Sequence, residues 1–180
     1  MINLFLYKIH LKDINSPKTI KKSYFKVYKE VENLFFSENN LEVKYSSSGK
    51  PLLENNFISI SHSGSYLLIA LSDENIGIDI EKYSNIGEYV KKILRKNEKS
   101  ILTEQQLVEK FTFIESFVKY NDYSLLECLR NISTSNEGYK FYKTKISLQT
   151  EYIDIDDFKC SVVSKNKQKL NLIKYNYYES

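Results

Sequence analysis

The densest chemical signal in the chain is Gly77-Ile78-Asp79-Ile80-Glu81. Side chains alternate between the two faces of a β-strand. Asp79 and Glu81 would therefore share one face, about 6.6 Å apart along the strand, while Ile78 and Ile80 enter a core. Two carboxylates side by side repel, and a hard divalent cation relieves that repulsion. Mg²⁺ takes one or two carboxylates, keeps several waters and shares substrate phosphates. The same spacing also suits a plain solvent-facing acidic strand edge. Glu115 and Lys119 stand four residues apart, which on a helix puts them on one face. They read either as a surface ion pair worth under about 1 kcal/mol, or as a third metal carboxylate with a phosphate-binding lysine one turn on.

Ser61-His62-Ser63-Gly64 ends a strand in a polar turn. His62 has no second His or Cys at ligand spacing, which argues against zinc, and no nucleophile elbow accompanies it. A phosphate contact and a hydrogen-bonded turn residue both remain open for it. Gly49-Lys50-Pro51 sets a lysine at a rigid turn, either beside an anion or simply at the surface. The glycine spacing of a P-loop is absent.

These residues need elements to hold them. Residues 2–11 predict a first strand. Ser16-Pro17 predicts a helix start, with Ser16 as N-cap and proline at the first helical position. Ile20, Tyr24, Val27, Val31, Leu34 and Phe35 then recur at helical spacing. Strands are expected at Leu41–Tyr45, Phe57–Ile60, Tyr66–Ser72 and Ile76–Ile80, and a helix at 86–95. Thr103 and Gln106 form a capping box before a second strong helix with Leu107, Phe111, Ile114 and Val118 on its stripe. Strands resume at about 139–149, 151–155, 158–164 and 170–175. This order predicts α+β rather than an alternating βαβ chain.

The 180 residues suit one domain or two small interdependent halves. With 42% hydrophobic and 27% charged residues, five Gly and two Pro, the chain is neither low-complexity nor disordered. Net charge is +3, and Arg95 and Arg130 are the only arginines. This does not resemble a duplex binder reading bases through arginine. Fifteen tyrosines and many lysines raise a single-strand binder, but the tyrosines are scattered, and no nucleic-acid partner is expected. Cys128 and Cys160 have no metal spacing and predict reduced thiols. The first residues read as a strand rather than a signal peptide. The longest apolar run, Tyr66–Leu71, is too short to span a bilayer. A cytoplasmic protein without a membrane partner is the expectation.

Taken in order, four segments resemble the Sfp-type 4′-phosphopantetheinyl transferases. They are Gly49-Lys50-Pro51, Phe57-Ile58-Ser59-Ile60-Ser61-His62-Ser63-Gly64, Gly77-Ile78-Asp79-Ile80-Glu81 and Phe111-Thr112-Phe113-Ile114-Glu115-Ser116-Phe117-Val118-Lys119. The resemblance covers roughly residues 45–120. It implies a pseudo-dimer of two similar α+β halves with the active site between them: residues 1–80 on the nucleotide side, and 81–180 on the metal and carrier side. It implies transfer of 4′-phosphopantetheine from coenzyme A to a serine of an acyl or peptidyl carrier protein, releasing adenosine 3′,5′-bisphosphate. By the same resemblance Asp79, Glu81 and Glu115 hold Mg²⁺, and Lys119 contacts a phosphate. Lys50, Ser61 and His62 contact the nucleotide end, and Glu98 stands where the family has a general base. Residues 86–96, with Ile86, Tyr89, Val90, Ile93 and Leu94 among Lys91, Lys92, Arg95 and Lys96, would meet the acidic carrier. A monomer is expected.

Four features depart from the family pattern. Ile114 stands where a lysine precedes the glutamate of the helix motif, and Phe111 replaces a tryptophan. The glycines after the last motif lysine are absent, leaving Asn121 or Asp122 to make the left-handed turn. The stretch before Gly49 is short for the family, and Lys18, Lys21 and Lys22 match its basic segment loosely. Ile114 and the missing glycines motivate an alternative: a relative that binds coenzyme A or a carrier without turnover.

Overall fold

The computed structural model describes residues 1–11, 17–84, 86–96, 98, 100–136 and 138–179, and for 17–22 the backbone alone. Among these residues the fold is mixed α+β, with four helices and several small open sheets. The chain forms two compact units. One is Met1–Asp73 together with Lys169–Ser180; the other is Glu74–Gln168. The expected division at 80/81 falls inside a strand, Ile76–Lys82. The expected N-cap Ser16, and the side chains of Ile20, Lys18, Lys21 and Lys22, lie outside the described structure.

In the first unit, β1 (Ile2–His10) is followed by α1 (Pro17–Glu38), β2 (Lys44–Tyr45), β3 (Pro51–Leu52), β4 (Phe57–Ser63) and β5 (Tyr66–Ser72). The sheet runs β12-β1-β5-β4, where β12 (Leu170–Tyr178) comes from the far end of the chain and lies parallel to β1. The other pairs are antiparallel. Val27, Tyr28, Val31, Phe35 and Phe36 of α1 pack with Tyr7, Ile9, Ile58, Leu67 and Ile69. The expected stripe shifts at its edge: Leu34 is exposed, and Tyr28 and Phe36 carry the buried arc instead.

The second unit holds β6 (Ile76–Lys82), α2 (Glu88–Lys96), α3 (Glu104–Asn121), α4 (Leu125–Asn131) and β7 (Ile132–Ser135). β8 (Gly138–Phe141), β9 (Thr144–Lys145), β10 (Gln149–Ile155) and β11 (Phe158–Ser164) follow. Its sheets are β10-β11-β6 and β7-β8-β9, all antiparallel. α3 begins with the expected capping box between Thr103 and Gln106 and ends with Asp122 in the left-handed region. That aspartate makes the turn for which the sequence supplies no glycine.

α3 is central to this unit because both of its sides are covered. Toward β6 and β11, Gly77 admits the helix backbone so closely that a Cβ would stand 1.9 Å from the Ser116 carbonyl oxygen. The Ser161 hydroxyl, on β11, donates to the Thr112 carbonyl at 2.7 Å. On the other side Leu107, Phe113, Ile114 and Phe117 join Leu94, Cys128, Leu129 and Ile132 in an apolar cluster. Cys128 and Cys160 are free and buried. The expected strand 139–149 is interrupted at Tyr142 and Lys143, whose positive φ values turn β8 back as β9. Helix α4 and strands β3 and β7 were not expected; each is too short for a periodic pattern to reveal.

Candidate functional site

Asp79 lies on β6 and is 2% exposed. Its Oδ1 accepts a hydrogen bond from Lys119 Nζ at 2.9 Å, an ion pair joining β6 to α3. Its Oδ2 is buried without a hydrogen-bond partner among the described residues. Glu115 shares that face of α3, one turn before Lys119. Burial chiefly, and then the charge of Asp79, push the Glu115 carboxyl up to about 7, and Lys119 pulls it back. Two carboxylates and one ammonium thus meet where α3 crosses β6. Of the expected site residues, the structure brings Asp79, Glu115 and Lys119 near one another.

Glu81 is two residues further on the same face of β6 and half-buried. It stands opposite Lys159 of β11 in register. Lys159 is itself tied to Asp154 at 2.7 Å and Glu109 at 3.1 Å. Among the described residues, no group of three or more His, Cys, Asp and Glu side chains is arranged to hold a metal ion. The structure brings Asp79 and Glu115 together, then, without a closed three-carboxylate cage. This donor set is hard oxygen only, since Cys160 pairs in register with Ile80 on the opposite face. Such a set fits a cation that completes its shell with water and phosphate oxygens.

Glu98 is held elsewhere. Its Oε1 pairs with the buried Lys110 and accepts from the Thr134 amide at 3.0 Å and the Thr134 hydroxyl at 2.9 Å. Lys110 Nζ also donates to the Leu94 carbonyl at 3.1 Å. At 3.6 residues per turn, positions 110 and 119 lie roughly 180° apart around α3. Glu98 is therefore bound on the side of α3 facing the apolar cluster, while Asp79 meets the other side. The structure does not bring Glu98 to the carboxylate pair. Lys110 is the residue that the sequence reading missed. Its signal was a lysine three residues after Leu107 and four before Ile114, on the apolar stripe itself. Burial lowers its proton affinity, and Glu98 restores part of it.

Ile114 is fully buried in the apolar cluster, so the position where the family has a lysine faces the core here. Ile86, just before α2, and Leu94 on it are buried, and Tyr89 on the helix is exposed. Lys91 bridges Glu88 and Glu104, and Arg95 pairs with Glu104 at 2.8 Å. Lys92 and Lys96 are exposed.

The remaining expected contacts belong to the first unit. Lys50 closes a turn in which its amide donates to Ser46 Oγ at 3.0 Å, beside Gly49 at φ 84°. Ser61 and His62 both lie within β4 rather than in a turn. As strand neighbours they point to opposite faces, with Ser61 buried and His62 exposed. The His62 ring stacks on Tyr28 at 4.3 Å and meets Phe25 edge-on at 6.4 Å. That aromatic setting was not legible locally, because Tyr28 lies 34 positions earlier on α1.

No protein-family model matches the chain, and no curated protein matches it at a significant level. Among the described residues no helix is long and apolar enough to cross a membrane.

Proposed function

We propose that the chain is a Mg²⁺-dependent 4′-phosphopantetheinyl transferase. In this reading it moves phosphopantetheine from coenzyme A to a carrier-protein serine and releases adenosine 3′,5′-bisphosphate. One observation carries the reading: within the ordered motifs resembling that family, Asp79 and Lys119 form an ion pair and the buried Glu115 carboxyl feels the charge of both. Asp79 and Glu115, with Glu81 alongside, are the residues proposed to hold Mg²⁺, which when bound would neutralise charge on the coenzyme A diphosphate. Lys119 is the more exposed partner of the ion pair. It is 26% exposed against 3% for Asp79, so its ammonium can leave Asp79 for a phosphate oxygen and stabilise charge there. Lys50 and His62 are proposed for the nucleotide end, His62 offering a ring already stacked on Tyr28. Tyr89, Lys92 and Lys96 are proposed to meet an acidic carrier. The base role is not given to Glu98, because α3 separates it from Lys119. The pseudo-dimer fold, a monomeric state and a cytoplasmic setting belong to the same proposal.

The test is incubation of the protein with coenzyme A, Mg²⁺ and a panel of apo-carrier proteins, read by intact mass. A phosphopantetheine adduct is expected, and Asp79→Ala should lose it while remaining folded. A folded wild-type protein that modifies no carrier, or an Asp79→Ala variant with full activity, would overturn the assignment. The burial of Ile114 favours a second reading, a relative that binds coenzyme A or a carrier without turnover. Calorimetry separates the two, since binding without any adduct supports the second and turnover excludes it.

A further inference from the structure

The second unit carries a polar cleft on the side of α3 away from the carboxylate pair. Its volume is about 840 Å³, within the range of small-molecule sites. Leu102 is the one apolar residue among the described lining. The other walls come from the stretch before α3 and its first turn (Ser100, Gln106), from β7 (Ser133, Ser135), and from the β8–β9 hairpin (Lys140, Lys143). Glu98 also lines it, but that carboxylate is neutralised from within by Lys110 and Thr134. Among the described lining residues the remaining charge is that of the two lysines, and neither forms an ion pair with a described residue.

The hairpin sets its lysines at defined positions. Lys140 stands directly opposite Lys145 in register. Lys143 sits at φ 70° and Tyr142 at φ 47°, in a two-residue turn whose geometry favours Asn-Gly. A side chain with a Cβ is disfavoured in that conformation. The hairpin thus holds Lys143 at a turn position that ordinarily takes glycine, and a bound anion would meet Lys140 and Lys143 together at the cleft.

We propose that this cleft binds a phosphorylated small molecule. Lys140 and Lys143 supply charge, and Ser133 and Ser100 supply hydroxyl donors of the kind that complete phosphate recognition, while the Ser135 hydroxyl donates to the Gly138 carbonyl at 2.9 Å and lines the wall. The site is independent of the transferase reading, because it shares no residue with the Asp79–Glu115–Lys119 group. The test uses the full chain and inorganic pyrophosphate as probe, in EDTA so that no divalent cation contributes. Binding is followed by calorimetry, and backbone amide shifts locate it. Saturable binding is expected, with shifts at Ser133, Ser135, Lys140 and Lys143, and Lys140→Ala/Lys143→Ala should weaken it at least about 10-fold at an unchanged melting temperature. Absence of saturable binding, a response reproduced by sodium chloride at equal ionic strength, an undiminished affinity in the double variant, or shifts centred on Lys119 would each overturn the proposal.

Discussion

Two carboxylates meet at the crossing of β6 and α3, with the Lys119 ammonium paired to one of them. Glu115 absorbs the mismatch by holding its proton up to about pH 7, chiefly because it is buried and secondarily because Asp79 is charged. The sign of the consequence follows from proton linkage. A carboxyl raised in the folded state binds more proton than in the unfolded chain between its two values, so stability falls as pH rises through that window. In EDTA, the wild-type unfolding free energy should drop between pH 4.5 and 7, by on the order of 3 kcal/mol for a shift of this size. Glu115→Gln should flatten that slope, and urea titrations at both ends of the range measure it. An unchanged slope in the variant would show that another group is responsible. Lys119→Met removes the ammonium paired with Asp79 Oδ1 at 2.9 Å and should cost roughly 2–4 kcal/mol, as broken buried pairs do.

At the scale of elements, α3 is fastened on two sides by different chemistry. Against β6 the fastening is the absence of a side chain at Gly77, where a Cβ would also reach 2.7 Å from the Tyr120 amide nitrogen. Gly77→Ala should therefore destabilise by more than about 3 kcal/mol, whereas Gly49→Ala meets open space and should cost only about 1 kcal/mol through its positive φ. Equal losses in thermal unfolding would contradict the close-approach reading. On the other side the fastening is polar: Lys110 ties the end of α2 to β7 through Glu98. Lys110→Met alone leaves a buried carboxylate uncompensated, and the Glu98→Gln/Lys110→Met pair should recover at least half of that loss. A double variant no better than additive would show the pair to be uncoupled.

For the whole molecule, the decisive pairing joins the two ends of the chain. β12 lies parallel to β1 over Ile2–His10 and Leu170–Tyr178, and Tyr175 stacks on Tyr7 at 4.8 Å. The first unit is closed only when the last strand arrives. Deletion from Lys169 onward should lower the melting temperature by more than about 10 °C, and should expose alternate β1 amides to hydrogen exchange while those paired with β5 stay protected. Retained protection along all of β1 would show that β12 is dispensable.

Much of this was readable locally. The Thr103–Gln106 capping box, the alternation that puts Asp79 and Glu81 on one strand face, and the four-residue spacing of Glu115 and Lys119 all depend on near neighbours in sequence. They appear in the structure as expected. So does the left-handed turn at Asp122, because a helix of that length must end and an aspartate tolerates the conformation. What sequence could not decide is which distant surfaces meet. The Asp79–Lys119 pair spans 40 residues, and the Lys110–Glu98 pair turns an expected catalytic carboxylate toward the opposite side of α3. The parallel pairing of β12 with β1 spans nearly the whole chain. Each of these depends on which face of α3 or β1 is already covered when the next element packs, and that choice is made by burial in three dimensions rather than by residue type or spacing.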